Sequence, residues 1–126
     1  MKLTKVLTVL LTLALCVACA LESGVMVALT LYNDSAQSAV FTVSEVDGDS
    51  SYNVSPFGSL TVDANVDDPS AIPVRVSVGG QTFSELYNAG FEGGSATVAL
   101  IEAGAGNFSL GGDLYKPPPP SSNTPT

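Results

Sequence analysis

Apolar and polar residues alternate along most of the chain beyond residue 24, the period expected of strands with one face buried. Val25, Val27, Leu29 and Leu31 share one face of a strand predicted over 25–32, which Asn33-Asp34-Ser35 ends. A second strand is predicted over 40–46, with Phe41 and Val43 on one face, before the turn-forming run Asp47-Gly48-Asp49-Ser50-Ser51. Tyr52 and Val54 begin a third, stopped by Pro56-Phe57-Gly58. Leu60, Val62, Ala64 and Val66 mark a fourth, and Val74, Val76 and Val78 a fifth. Gly79-Gly80 then reads as a two-residue hairpin, because glycine accepts positive φ at both central positions. Gln81–Ser84 returns as a sixth strand carrying Phe83, and 84–94 reads as a long loop. Strands over 96–102 and around 108–110 follow, separated by Gly104-Ala105-Gly106-Asn107. The glycine pairs Gly93-Gly94 and Gly111-Gly112 also read as turns.

Seven or eight short strands and no helical period point to an all-β fold, a single antiparallel β-sandwich. The run of strands, turns and Pro-x-Gly corner resembles the immunoglobulin-like sandwich modules of secreted proteins. The Cys and Trp marks of antibody-type domains are missing.

The first 20 residues follow other rules. Lys2 and Lys5 precede an apolar stretch over 6–15, then a run of small residues. That is the layout of a secretory signal peptide, and its apolar part is shorter than the ~20 residues a membrane span needs. Ala18-Cys19-Ala20 fits ordinary cleavage after Ala20. Val17-Ala18-Cys19 is similar to the end of a bacterial lipobox, which implies cleavage after Ala18 and a lipid on Cys19. It departs from that pattern where Cys16 replaces the usual leucine, and both routes stay open. At the other end, Pro117–Pro120 and the Ser/Thr-rich residues 121–126 form, with Lys116, a tail that cannot join a ladder. The expected organisation is a signal over 1–20, a domain over 21–115 and a disordered tail over 116–126.

Charge narrows the function. Two of the four basic residues leave with the signal, so Arg75 and Lys116 face twelve acids, a charge of −10. Such a surface repels phosphate backbones and anionic lipid heads, which excludes nucleic acid and leaves a membrane reachable only through an N-terminal lipid. Both cysteines lie in the signal, so the domain has no disulfide. Small secreted eukaryotic domains usually have them, and their absence favours a bacterial source.

Catalytic chemistry is sparse. The chain has no histidine, and its domain no cysteine, so imidazole bases and thiolate nucleophiles are missing. Carboxylates survive as candidates: Glu45, Glu85, Glu92 and Glu102 are enough in kind for a small glycan hydrolase, which needs two across a cleft. Asp63, Asn65, Asp67 and Asp68 form the densest polar cluster, with oxygens at alternate positions that suit calcium. The cluster resembles the start of an EF-hand loop, but Asp68 and Val74 occupy the positions of the required glycine and glutamate. It also resembles the calcium linker of cadherins, where Val66 breaks the match. A solvated strand carries the same stripe without a metal, since neighbours ~6.6 Å apart in water repel by only ~0.6 kcal/mol.

Asp67 to Pro73 reads as a turn that pairs Val66 with Val74. That register sets Asn65 opposite Arg75, with Asp63 and Asp67 as diagonal neighbours within an arginine's reach. Tyr87 and Phe91, in the longest loop, are the candidate contacts for a protein or glycan partner. Asn33, Asn53 and Asn107 each start an Asn-x-Ser glycosylation pattern. Together these features predict a non-catalytic extracytoplasmic module with a binding or surface-structural role. Its alternatives are a calcium-stabilised adhesion or glycan-binding module and, further off, a carboxylate-dependent hydrolase.

The mass of the protein purified from its producing cell is expected to show loss of 18 to 20 residues. On the lipid route Cys19→Ser turns a membrane-bound protein soluble; an unchanged membrane fraction selects ordinary cleavage.

Overall fold

A computed structural model describes residues 24–91 and 93–117. Residues 1–23, which include the expected signal and Cys19, lie outside them, as do Glu92 and residues 118–126. Eight strands form: β1 Val25–Asp34, β2 Ala39–Glu45, β3 Gly48–Val54, β4 Ser59–Val66, β5 Ile72–Val78, β6 Gln81–Tyr87, β7 Ser95–Glu102 and β8 Phe108–Gly112. Two four-stranded sheets stack as a sandwich, sheet A in the order β4-β1-β7-β8 and sheet B in the order β3-β2-β5-β6.

The alternating residues fill the space between the sheets. Val27, Leu29, Leu31, Ala64, Val66, Ala96, Val98 and Leu100 come from sheet A, and Phe41, Val43, Ile72, Val74, Val76, Val78 and Tyr87 from sheet B; all are buried. At roughly 1.5–3 kcal/mol for each fully buried large side chain, this layer is the main stabilising contribution. The Phe83 and Phe108 rings meet edge to face, 6.4 Å apart, along the side where β6 lies over β8.

Several local readings change. The β2–β3 hairpin turns on Val46-Asp47 alone, and Asp49, Ser50 and Ser51 belong to β3. Gly79-Gly80 does make the β5–β6 hairpin, with φ of 56° and 77°. β6 continues to Tyr87 instead of ending at Ser84, and Gly111-Gly112 lie inside β8. The sandwich is not wholly antiparallel either: β1 runs parallel to β7, in the register Ala28↔Ser95 to Asp34↔Ile101.

The largest correction concerns β4 and β5, which lie in opposite sheets. The expected Val66–Val74 pairing is absent, and Arg75 does not sit among Asp63, Asn65 and Asp67. Residues 67–71 carry the chain across the sandwich instead. Asp68 Oδ1 accepts hydrogen bonds from Ser70 N (3.0 Å) and Ser70 Oγ (2.6 Å), and Pro69, which is buried, accepts one at its carbonyl from Ala89 N (2.7 Å). Pro73 is tolerated in a central strand because the β2–β5 register has already ended at Val43↔Val74. Arg75 projects from the outer face of sheet B, where its Nη2 lies 3.8 Å from Asp49 Oδ2. Both side chains are half exposed, so the pair contributes less than about 1 kcal/mol.

The chain closes the sandwich as it leaves β8. Gly112, at φ 105°, packs so tightly on the Thr97 carbonyl that no side chain fits there. Beyond it, Asp113 N donates to Thr97 O (2.9 Å) and Asn88 N to Asp113 O (2.8 Å). Tyr115 N donates to Leu86 O (2.8 Å), so residues 113–115 join sheet A to the edge of β6. Leu114 packs against the core. A chain ending at Tyr115 is therefore expected to melt at the same temperature as one ending at residue 126. A chain ending at Gly112 loses these bonds and melts several degrees lower. Equal melting of all three in a thermal denaturation series would show that the crossing segment contributes nothing.

Candidate functional site

The strands fix two poles. β1 and β7 run from a lower pole to an upper one, and their neighbours return. Gly24, the β2–β3 turn, residues 67–71 and the β6–β7 connection lie at the lower pole. Residues 35–38, 55–58, 79–80 and 103–107 lie at the upper.

The acidic cluster is not assembled into one site. Asp63 projects from the outer face of β4 opposite Ala28. Asn65 engages the neighbouring hairpin through its backbone: its N–H donates to Glu45 Oε1 (2.8 Å) and its carbonyl accepts from Val46 N (2.9 Å). Asp67 is exposed, and Asp68 is committed to Ser70, whose side-chain and backbone hydrogen bonds hold its carboxyl below the usual aspartate value. Among the described residues no three Asp, Glu, Cys or His side chains stand close enough to share an ion. The two acids that calcium would have to use, Asp63 on β4 and Asp67 at the start of the crossing segment, belong to different elements.

The glutamates are equally dispersed. Glu45 ends β2 at the lower pole and accepts from Ser50 Oγ as well as Asn65 N. Glu102 ends β7 at the upper pole, where it accepts from Gly106 N (2.9 Å) and Ala36 N (3.0 Å). Glu85 sits in β6 opposite Val74. No two of these three face one cleft, so the arrangement a two-carboxylate hydrolase needs is not formed by them.

Tyr87 corrects the loop reading. It ends β6, is fully buried, and donates from its hydroxyl to Gly111 O at 3.0 Å. Burial, with Glu85 nearby, pushes its phenol well above the ordinary tyrosine value. It braces the core and offers no surface to a partner. Phe91 keeps its candidate role, 91% exposed in the connection between β6 and β7.

Two features escaped the sequence reading. A shallow groove of about 410 Å³ runs over sheet B, lined by Thr42, Ser44, Pro73, Ser84 and Leu86 together with Arg75 and the carboxylates Asp49 and Glu85. These come from four strands, and each by itself is an ordinary strand residue. The second is Phe57. Gly58 N donates to Ser55 O at 2.9 Å, closing a turn in which Phe57 takes φ 55°. It is the only non-glycine residue with positive φ among those described, and its side chain remains 66% exposed. A left-handed backbone costs an L-residue roughly 1–2 kcal/mol, and a ring left in water recovers little of that.

The turn holds this shape because its surroundings dictate it. Asn33 and Ser35, both buried, form a polar block beneath it. The Asn33 amide reaches the carbonyls of Gln37 (2.7 Å), Val54 (3.1 Å) and Ser55 (3.2 Å). Ser35 Oγ donates to Asn33 Oδ1 at 2.7 Å, Asn33 N donates to Gly58 O at 2.9 Å, and Phe57 N donates to Ser35 O at 3.1 Å. An Asn33 so committed is closed to glycosylation, whereas Asn53 and Asn107 are exposed.

Searches of protein-family models, curated proteins and solved structures find no match to this chain.

Hydrogen bonds from Gly106 N and Ala36 N hold the Glu102 carboxyl below the usual glutamate value. A group depressed in the folded state stabilises fully above its unfolded pKa and stops doing so as pH falls through the folded one. Glu102→Gln is therefore expected to lower the melting temperature at neutral pH and to shrink the loss on acidification below about pH 4.5. An acid limb of unchanged size in the variant would remove Glu102 from the cause.

Proposed function

We propose that this chain is a non-catalytic extracytoplasmic binding module of immunoglobulin-like layout, exported by its N-terminal signal and tethered or released according to the fate of Cys19. Its rigid sandwich presents the Pro56-Phe57 turn to a protein partner. The observation that carries this reading is Phe57 itself. Backbone strain at an exposed aromatic, held by a buried hydrogen-bonded block, gives the fold nothing in return, and strain of that kind clusters where ligands are clamped. Exposed aromatics on rigid supports are also the usual anchors of protein interfaces. The two four-stranded sheets support the immunoglobulin-like layout, and β1 between β4 and β7 is this chain's own departure from it. The acidic surface favours a partner with basic residues around the pocket that takes the ring.

A glycan is the second reading, favoured by the groove on sheet B, where hydroxyls and Arg75 flank the apolar Pro73 and Leu86. Calcium-stabilised adhesion rests on Asp63 and Asp67 alone, and hydrolysis on no pair of described glutamates.

Phe57→Gly tests the protein reading. It is expected to raise stability by about 0.5–1 kcal/mol through relief of the left-handed conformation, and to abolish the cross-linked adduct that the wild-type chain forms in its producing cell. An adduct that survives Phe57→Gly and disappears with Arg75→Ala would transfer the function to the groove. A drop in stability with Phe57→Gly would mean the ring supports the fold.

A further inference from the structure

The lower pole carries a second pair of apolar side chains with no role in the core. Gly90 to Gly93 form a turn closed by a hydrogen bond from Gly93 N to Gly90 O at 3.2 Å, with φ of 97° and 84° at the two glycines. The turn leans on the start of β1. Ala28 N donates to Gly94 O at 2.8 Å, and a Cβ on Gly93 would lie 2.7 Å from the Val25 side chain and 3.4 Å from Met26 O. Phe91 occupies the first corner of this turn. Met26, on the outer face of sheet A two residues after Gly24, is 64% exposed, and its carbonyl lies under the same turn at Gly93. Both lie where the chain enters the fold at Gly24, five residues after Cys19. Fully extended, that stretch spans at most about 18 Å.

We infer that the lower pole rests on a lipid bilayer, with Phe91 in the boundary between headgroups and acyl chains and Met26 next to it. This inference rests on the reading that the chain is tethered through Cys19. The short leader keeps Phe91 near the bilayer throughout, so a contact too weak to recruit a free protein is sufficient to orient a tethered one. An aromatic ring suits that boundary, and apolar burial there is favourable. Asp47, Asp67, Asp68 and Asp113 surround the same pole, so the lipid it fits is zwitterionic. The opposite pole, with Phe57, then points away from the membrane.

The chain contains no tryptophan, so Phe91→Trp supplies its only indole. A protein beginning at Cys19 has one thiol, which can be coupled to a maleimide lipid in phosphatidylcholine vesicles whatever the cell does with that cysteine. The expected result is a blue-shifted emission, quenched by brominated lipid, for Phe91→Trp but not for Phe57→Trp, and a smaller shift when phosphatidylglycerol is included. An unshifted Phe91→Trp, or equal shifts at both positions, overturns the inference. A larger shift with phosphatidylglycerol overturns the assignment to zwitterionic lipid. The mass of the natural protein reports separately on the lipid at Cys19, so a failed tether and a failed orientation are told apart.

Discussion

β1 is paired on both sides along almost its whole length, with β4 from Val25↔Val66 to Tyr32↔Ser59 and with β7 from Ala28 to Asp34. Its inward face, Val27, Leu29 and Leu31, is buried against sheet B. The domain has no disulfide to close either sheet, so this insertion, and the burial it brings, is what holds sheet A together. Without β1, β4 would have no neighbour in its sheet. The Asn33–Ser35 block at its upper end and the Gly93-Gly94 segment at its lower end are built on it.

The acidic composition acquires a structural meaning in this setting. Where ladders run out of partners, backbone N–H groups need acceptors, and here carboxylates supply them at positions that are mostly exposed. Glu45 accepts from Asn65 N, Asp68 from Ser70 N, Asp113 from Thr97 N, and Glu102 from both Ala36 N and Gly106 N. Four of the twelve acids thus finish strands or shape turns. The charge therefore does more than keep the protein in solution.

Alternation and turn residues made the eight strands legible, and with them most of the inward residues, although Leu60, expected to face inward, is 40% exposed and Tyr87 was missed. Neither could say which strands are neighbours. The inward parity of Val66 and Val74 is the same whether β4 and β5 share a sheet or face each other across the core, and for that reason the expected partners of Arg75 were wrong. The parallel β1–β7 contact joins residues more than sixty positions apart, with no signal in either segment. Tyr87 looked like loop because polar Ser84 and Glu85 precede it, although Glu85 and Tyr87 continue the β6 register to its end. Phe57 was hidden for a different reason: Pro56-x-Gly58 announces a turn, but only the backbone angle shows that the middle residue is under strain. The oxygens from Asp63 to Asp68 share a sequence pattern, yet a strand, a strand end and a crossing loop send them to different surroundings.

The parallel pairing of β1 with β7 also orders events in time. β1 is the first strand to be made and β7 the seventh, so β1 lacks its second partner until residue 102 is available, and sheet A its last strand until residue 112. Contacts of such long sequence separation fold slowly, because loop-closure entropy must be overcome before burial compensates it. β5 and β6, joined by a two-glycine hairpin, can pair early by comparison. Until β7 arrives, β1 is paired on the β4 side alone and its other edge is open. Late completion of sheet A thus leaves the chain extensible for longer than in a fold built only of adjacent hairpins.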